Sequence, residues 1–96
     1  MTEMPEVTVA SRVKLSEDVL FQELQGDAVL LDLKTGVYFG LDKVGTRIWE
    51  LLAEHKVISA AVEAMTQVYD VTPQRCTEDV LALVLKLQEQ GLLEVQ

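Results

Sequence analysis

The chain has 96 residues, 49% of them hydrophobic, with 16 acidic against 8 basic residues and a formal net charge of −8. That length favours one domain, and that apolar content allows a core without disulfide or metal staples, which excludes a disordered tail. The single cysteine, Cys76, excludes an internal disulfide and a cysteine-built zinc site, and its usage fits a reducing cytoplasm.

Residues 1–11 contain Glu3, Pro5 and Glu6 and lack the apolar core of a signal peptide, so they read as a flexible arm ahead of a single domain over residues 12–96. Val19 to Leu24 is rich in β-favouring residues and predicts a first strand. Gln25-Gly26-Asp27 is a turn signal. Ala28 to Leu33 predicts a second strand, with Val29, Leu31 and Leu33 on one face at period two. Lys34-Thr35-Gly36 suits a hairpin loop in which Gly36 supplies a positive φ, and Val37 to Leu41 predicts a third strand. Two short loops in succession give a meander, with the second strand central and the others at the edges.

Asp42 is placed to cap a first helix running roughly from Lys43 to Glu54, with Val44, Ile48, Leu51 and Leu52 as its buried stripe and Trp49 beside it. Ser59 is the expected cap of a second helix reaching Tyr69, with Ala61, Met65 and Val68 inward. Thr72 and Pro73 open a third helix, and Val71 and Cys76 have the spacing of a hydrophobic staple. That helix runs to about Gln90 and ends at Gly91, with Leu87 and Leu92 spaced for a Schellman contact. The expected fold is α+β: a three-stranded antiparallel sheet followed by three helices.

Catalytic signals are weak. His55 is the one histidine and stands at the end of the first helix, where it suits the helix dipole. Cys76 lacks a recognisable Cys-His motif, and its spacing favours packing. Glu78 and Asp79 are adjacent on a helix and point apart, Glu78 to solvent and Asp79 towards a groove. Gly36, Gly40 and Gly45 form no phosphate loop. No cofactor or metal is expected, and no enzymatic activity of the chain's own. The informative feature is the third strand. Soluble proteins blunt sheet edges with charge or proline, as Glu17, Asp18 and Glu23 do for the first strand. Val37-Tyr38-Phe39-Gly40-Leu41 carries neither, so it is either covered or open to an added peptide strand.

The run from Val29 to Leu52 resembles the centre of PqqD-like proteins, the recognition elements of ribosomally made, modified peptides. Tyr69-Asp-Val, Asp79-Val80, Leu87 and the Gly91-Leu92-Leu93 ending continue the likeness, which spans roughly residues 13 to 93. The resemblance implies a winged helix-turn-helix-like trihelical bundle behind the sheet. It implies binding of a precursor's leader peptide as an extra strand, beside the third strand and in a groove shared with the third helix. Carried over by position, it implicates Val37, Tyr38, Phe39 and Leu41 on the strand and Asp79, Val80, Leu83 and Leu87 on the helix. The implied partners are a precursor leader peptide and a modifying enzyme, either a radical-SAM enzyme or a transglutaminase-like leader peptidase. Phe21-Gln-Glu-Leu and Gly-Val-Tyr-Phe look closer to lasso-pathway proteins than to the quinone chaperone.

Two other classes compete. A dimerising module would pair the open edge with its own copy. A winged-helix DNA binder needs basic residues on its recognition helix, but the third helix sets Arg75 and Lys86 against Glu78, Asp79 and Glu89. No segment is long and apolar enough to span a bilayer, and the acidic balance opposes binding to nucleic acid and to anionic membranes. The chain is therefore expected to leave duplex DNA unshifted in a gel at physiological salt, and a submicromolar complex would overturn that expectation.

Overall fold

Hairpin chemistry sets the sheet. The structure is a computed structural model that describes residues 7–96. Strands β2 (Val19–Leu24) and β3 (Asp27–Asp32) are joined by Gln25 and Gly26, both at positive φ (57° and 91°). That two-residue geometry matches the right-handed twist of the strands it connects. Strand β4 (Tyr38–Leu41) returns after a loop in which Gly36 takes φ 76° and donates its N–H to the Asp32 carbonyl at 2.7 Å. The second expected strand ends one residue early, at Asp32. The Asp32 carboxylate accepts the Lys34 N–H at 2.9 Å and turns the chain, which leaves Leu33 in solvent. The three strands form an antiparallel sheet in the order β2-β3-β4.

One face of this sheet is core. Phe21, Leu30 and Phe39 form one cross-strand row and Ala28 faces Leu41, and α1 (Lys43–His55) packs against β3 and β4. Helices α2 (Ile58–Val68) and α3 (Pro73–Glu89) complete the core with Ile58, Ala61, Met65, Cys76, Val80, Val84 and Leu87. Each fully buried Leu or Ile contributes roughly 1.5–3 kcal/mol through removal from water. Val29 and Leu31 share a face as expected, but it is the face turned away from this core.

The helix ends follow their capping chemistry. Asp42 Oδ1 accepts the Gly45 N–H at 2.7 Å, and Thr72 Oγ1 accepts the Arg75 N–H at 3.3 Å ahead of Pro73. At the end of α3 the Leu92 N–H bonds the Leu87 carbonyl at 2.9 Å and the Gly91 N–H bonds Gln88 at 3.1 Å. With Gly91 at φ 74° and both leucines buried, these two bonds form a Schellman end.

Three expectations are corrected. Ser59 does not cap α2: the helix begins at Ile58 with Val57 as N-cap and no side-chain cap bond. Its first N–H groups are taken instead by backbone, Ile58 bonding the Ser11 carbonyl at 3.1 Å and Ser59 bonding Val9 at 2.7 Å. Val44 is 43% exposed rather than part of the buried stripe of α1, which starts at Gly45. Val68 is 61% exposed, because α2 ends there and Tyr69 leaves in extended backbone.

A second sheet was not expected. Strands β1 (Val13–Leu15) and β5 (Leu93–Val95) pair antiparallel, Val13 with Val95 and Leu15 with Leu93. The other side of β1 is held where the Val13 N–H bonds the Lys56 carbonyl at 2.9 Å. Residues 1–6 of the expected arm lie outside the described residues, and Val9 and Ser11 make the α2 contacts above. Among the described residues no helix is long and apolar enough to cross a membrane. Asp42→Ala should lower the unfolding free energy by about 0.5–2 kcal/mol with an unchanged denaturant slope, followed by Trp49 fluorescence.

Candidate functional site

Backbone direction decides what β4 offers. The Leu33 N–H donates to the Asp18 carbonyl, on the β2 side, at 2.8 Å. The Asp32 N–H donates to Val37, on the β4 side, at 2.9 Å. Alternation along antiparallel strands then directs the Leu30–Phe39 and Ala28–Leu41 pairs at each other. The N–H and C=O groups of Tyr38 and Gly40 point the other way, out of the sheet, and among the described residues no strand pairs with that edge.

Side chains alternate with the opposite consequence. Tyr38 and Gly40 lie on the outer face, and Tyr38 is 71% exposed. Phe39 points inward and is half-buried, and Val37 is half-buried in the loop before the strand. Leu41, at 5% exposed, is core and packs over Gly45. The edge therefore carries free backbone and an exposed aromatic ring, with no charged residue between Val37 and Leu41.

On α3 the four expected residues separate. Val80 and Leu87 are fully buried, Leu83 is half-buried and Asp79 is exposed. Asp79 and Val80 line an apolar cavity of about 270 Å³ together with Val44, Tyr69, Val71 and Cys76. Val44 follows β4 by one short step along the chain, so this cavity is where the element leaving the strand meets α3. Neither Leu83 nor Leu87 lines it. Val44, Tyr69 and Val71 were not among the expected site residues. Val44 read as core because its helical phase matches Ile48 and Leu52, and only tertiary packing reveals its exposure. Asp70 and Asp79 are the charged residues of the cavity lining, which is otherwise mostly apolar.

The chemistry-bearing groups elsewhere are quiet. Cys76 is buried and its thiol lies 3.8 Å from the Val62 carbonyl. Burial, and secondly the Asp79 charge, push that thiol above its ordinary value of 9.0. His55 is exposed at the end of α1. Among the described residues no group of His, Cys, Asp and Glu is arranged to hold a metal ion.

Residues 27–93 match the family described as coenzyme PQQ synthesis protein D (PqqD). Among solved structures, TbiB1 in complex with the TbiA(beta) leader peptide is 40% identical with a TM-score of 0.79, over 84% of this chain and 94% of that one. Lasso peptide synthetase B1 complexed with the leader peptide is 24% identical with a TM-score of 0.77, over 86% of this chain and 98% of that one, a likeness of fold. No curated protein sequence matches the chain significantly.

A thiol with a raised pKa keeps its proton longer in the folded than in the unfolded chain. Its contribution is full below the ordinary thiol value of 9.0 and is lost as pH rises through it towards the folded value. The stability advantage of the parent over Cys76→Ala should therefore narrow above that pH. At neutral pH a disulfide reagent should modify the native thiol at least about tenfold more slowly than the unfolded one.

Proposed function

The chain belongs to the PqqD family, and from that premise we propose that it binds the leader segment of a ribosomally made precursor peptide by strand addition and presents it to a modifying enzyme. The observation that carries this reading is the pair of outward-facing backbone stations at Tyr38 and Gly40, on an edge without charge or proline. A peptide laid there satisfies its own N–H and C=O groups whatever its side chains, so affinity comes from the backbone and specificity from neighbouring pockets. The leader peptide bound to the relative that is 40% identical supports the same reading.

Within it the expected residues take different parts. Tyr38 and the β4 backbone provide the seam, flanked by Val37 and Phe39, while Leu41 fixes the end of the strand from the core. Asp79 and Leu83 form the accessible helix wall, with Val80 at the floor of the cavity and Leu87 holding the helix in place behind it. Carboxylates beside an apolar cavity favour an apolar anchor with a basic neighbour in the peptide.

The chain acts without catalysis of its own, in the cytoplasm, and the chemistry belongs to its partner, a radical-SAM enzyme or a transglutaminase-like leader peptidase. Self-pairing through the same edge is the competing reading. It requires a mass that rises with concentration and a dimer that an added peptide dissociates.

The substitution that tests the seam belongs at Tyr38, because the Phe39 N–H faces Leu30 inside the sheet. Tyr38→Pro removes an outward donor, while Tyr38→Ala removes only the ring. Calorimetric titration with the TbiA(beta) leader should show Tyr38→Pro binding at least about tenfold more weakly than Tyr38→Ala. Leu83→Glu should cost about 1–3 kcal/mol of binding. Circular dichroism checks that each variant is folded, and binding as tight as the parent's in both would move the peptide elsewhere.

A further inference from the structure

Gly40 has no evident reason to be glycine within this chain. A glycine inside a strand weakens it and commonly marks a bulge, an unusual backbone angle or a close approach by another chain. The register runs without a bulge from Leu31–Tyr38 to Ala28–Leu41. Gly40 is not among the residues of positive φ, which are Gln25, Lys56, Gly26, Gly36 and Gly91. A Cβ added at Gly40 would meet nothing within 4 Å. The fold therefore neither needs the missing side chain nor fills its place.

The surroundings of that place are specific. On the outer face Gly40 lies across from Val29, and Val29 lies across from Gln22. Val29 is 43% exposed and lines a surface depression of about 430 Å³ with Gln22, Leu24 and Lys43. Tyr38 stands two residues along the same face.

We infer that the bare position at Gly40 is a seat for one large apolar side chain, aromatic by preference, from the added peptide strand. This rests on the strand-addition reading above and assigns the residue that sets its outer-face specificity. A strand beside β4 alternates its side chains between the two faces, so a peptide residue next to Gly40 projects over the outer face. With no Cβ in the way it can lie flat across Gly40 towards Val29, as an aromatic residue covers a cross-strand glycine. A short side chain stops over Gly40 and leaves Val29 wet. A charged one gains nothing from contact with Val29 itself.

The test uses Gly40→Val, with Gly40→Ala as a milder second variant. Both should fold, and Gly40→Val should melt no lower than the parent, because the angle is ordinary and β-branched residues favour strands. A display library of random peptides is selected against the parent and against each variant, keeping only peptides whose binding Tyr38→Pro abolishes. The parent should enrich Phe, Tyr, Trp or Leu at one position. Gly40→Val should enrich Gly, Ala or Ser there and bind the parent's peptides at least about tenfold more weakly. If the parent's peptides bind Gly40→Val and Gly40→Ala unchanged, the seat is wrong while strand addition stands. If no peptide sensitive to Tyr38→Pro is enriched, strand addition itself fails, and the seat with it.

Discussion

Leu33 sends its N–H to Asp18, just ahead of β2, and Asp32, one residue back, sends its own to Val37, just ahead of β4, at 2.8 and 2.9 Å. This alternation fixes β3 between its neighbours and, among the described residues, leaves β4 paired on one side alone. Everything at the candidate site depends on that division. Phe39 and Leu41 are committed to the sheet and the core through both backbone and side chain, while Tyr38 and Gly40 direct their backbone groups out of the edge and Tyr38 its ring to the outer face. A slip of one residue would exchange the two pairs, burying Tyr38 and placing Phe39 and Leu41 in solvent. The apolar row Phe21, Leu30 and Phe39 opposes such a slip, so the core of the domain holds the register of its open edge.

The helices stabilise the same arrangement from behind. Asp42 ends β4's excursion and begins α1 in a single residue, with its side chain bonded to Gly45. That junction leaves no slack between the strand and the first turn of α1, where Val44 meets α3 across the apolar cavity. Backbone from Val9 and Ser11 does for α2 what a side-chain cap would do. The segment ahead of β1 is thereby drawn into the helical layer.

Much of this was legible in the sequence, for identifiable reasons. Glycine at Gly36 and Gly91, the caps Asp42 and Thr72, and Pro73 are local signals, and each acts where its chemistry places it. The uncharged third strand was legible as an absence. The β1–β5 sheet was not, because three-residue strands show no periodicity and their pairing joins the two far parts of the chain. Ser59 misled because a better acceptor came from distant backbone. Val44 misled because helical phase does not say how far a neighbouring helix reaches. Of the helix residues that the family resemblance implicated, Val80 and Leu87 are fully buried, and the helical spacing they share with Asp79 and Leu83 does not separate a groove residue from a core one.

The β1–β5 pairing has a mechanical consequence. Beyond the Val13–Val95 rung the Gln96 N–H bonds the Arg12 carbonyl at 2.8 Å, and the chain departs from both strands on the same side. Tension applied through the two ends of the domain therefore falls on one rung at a time, peeling the ladder as a zip opens instead of shearing its bonds together. Once the Val9 and Ser11 bonds to α2 release, the small sheet opens along that line, while β4 lies in a separate sheet off the path of the load.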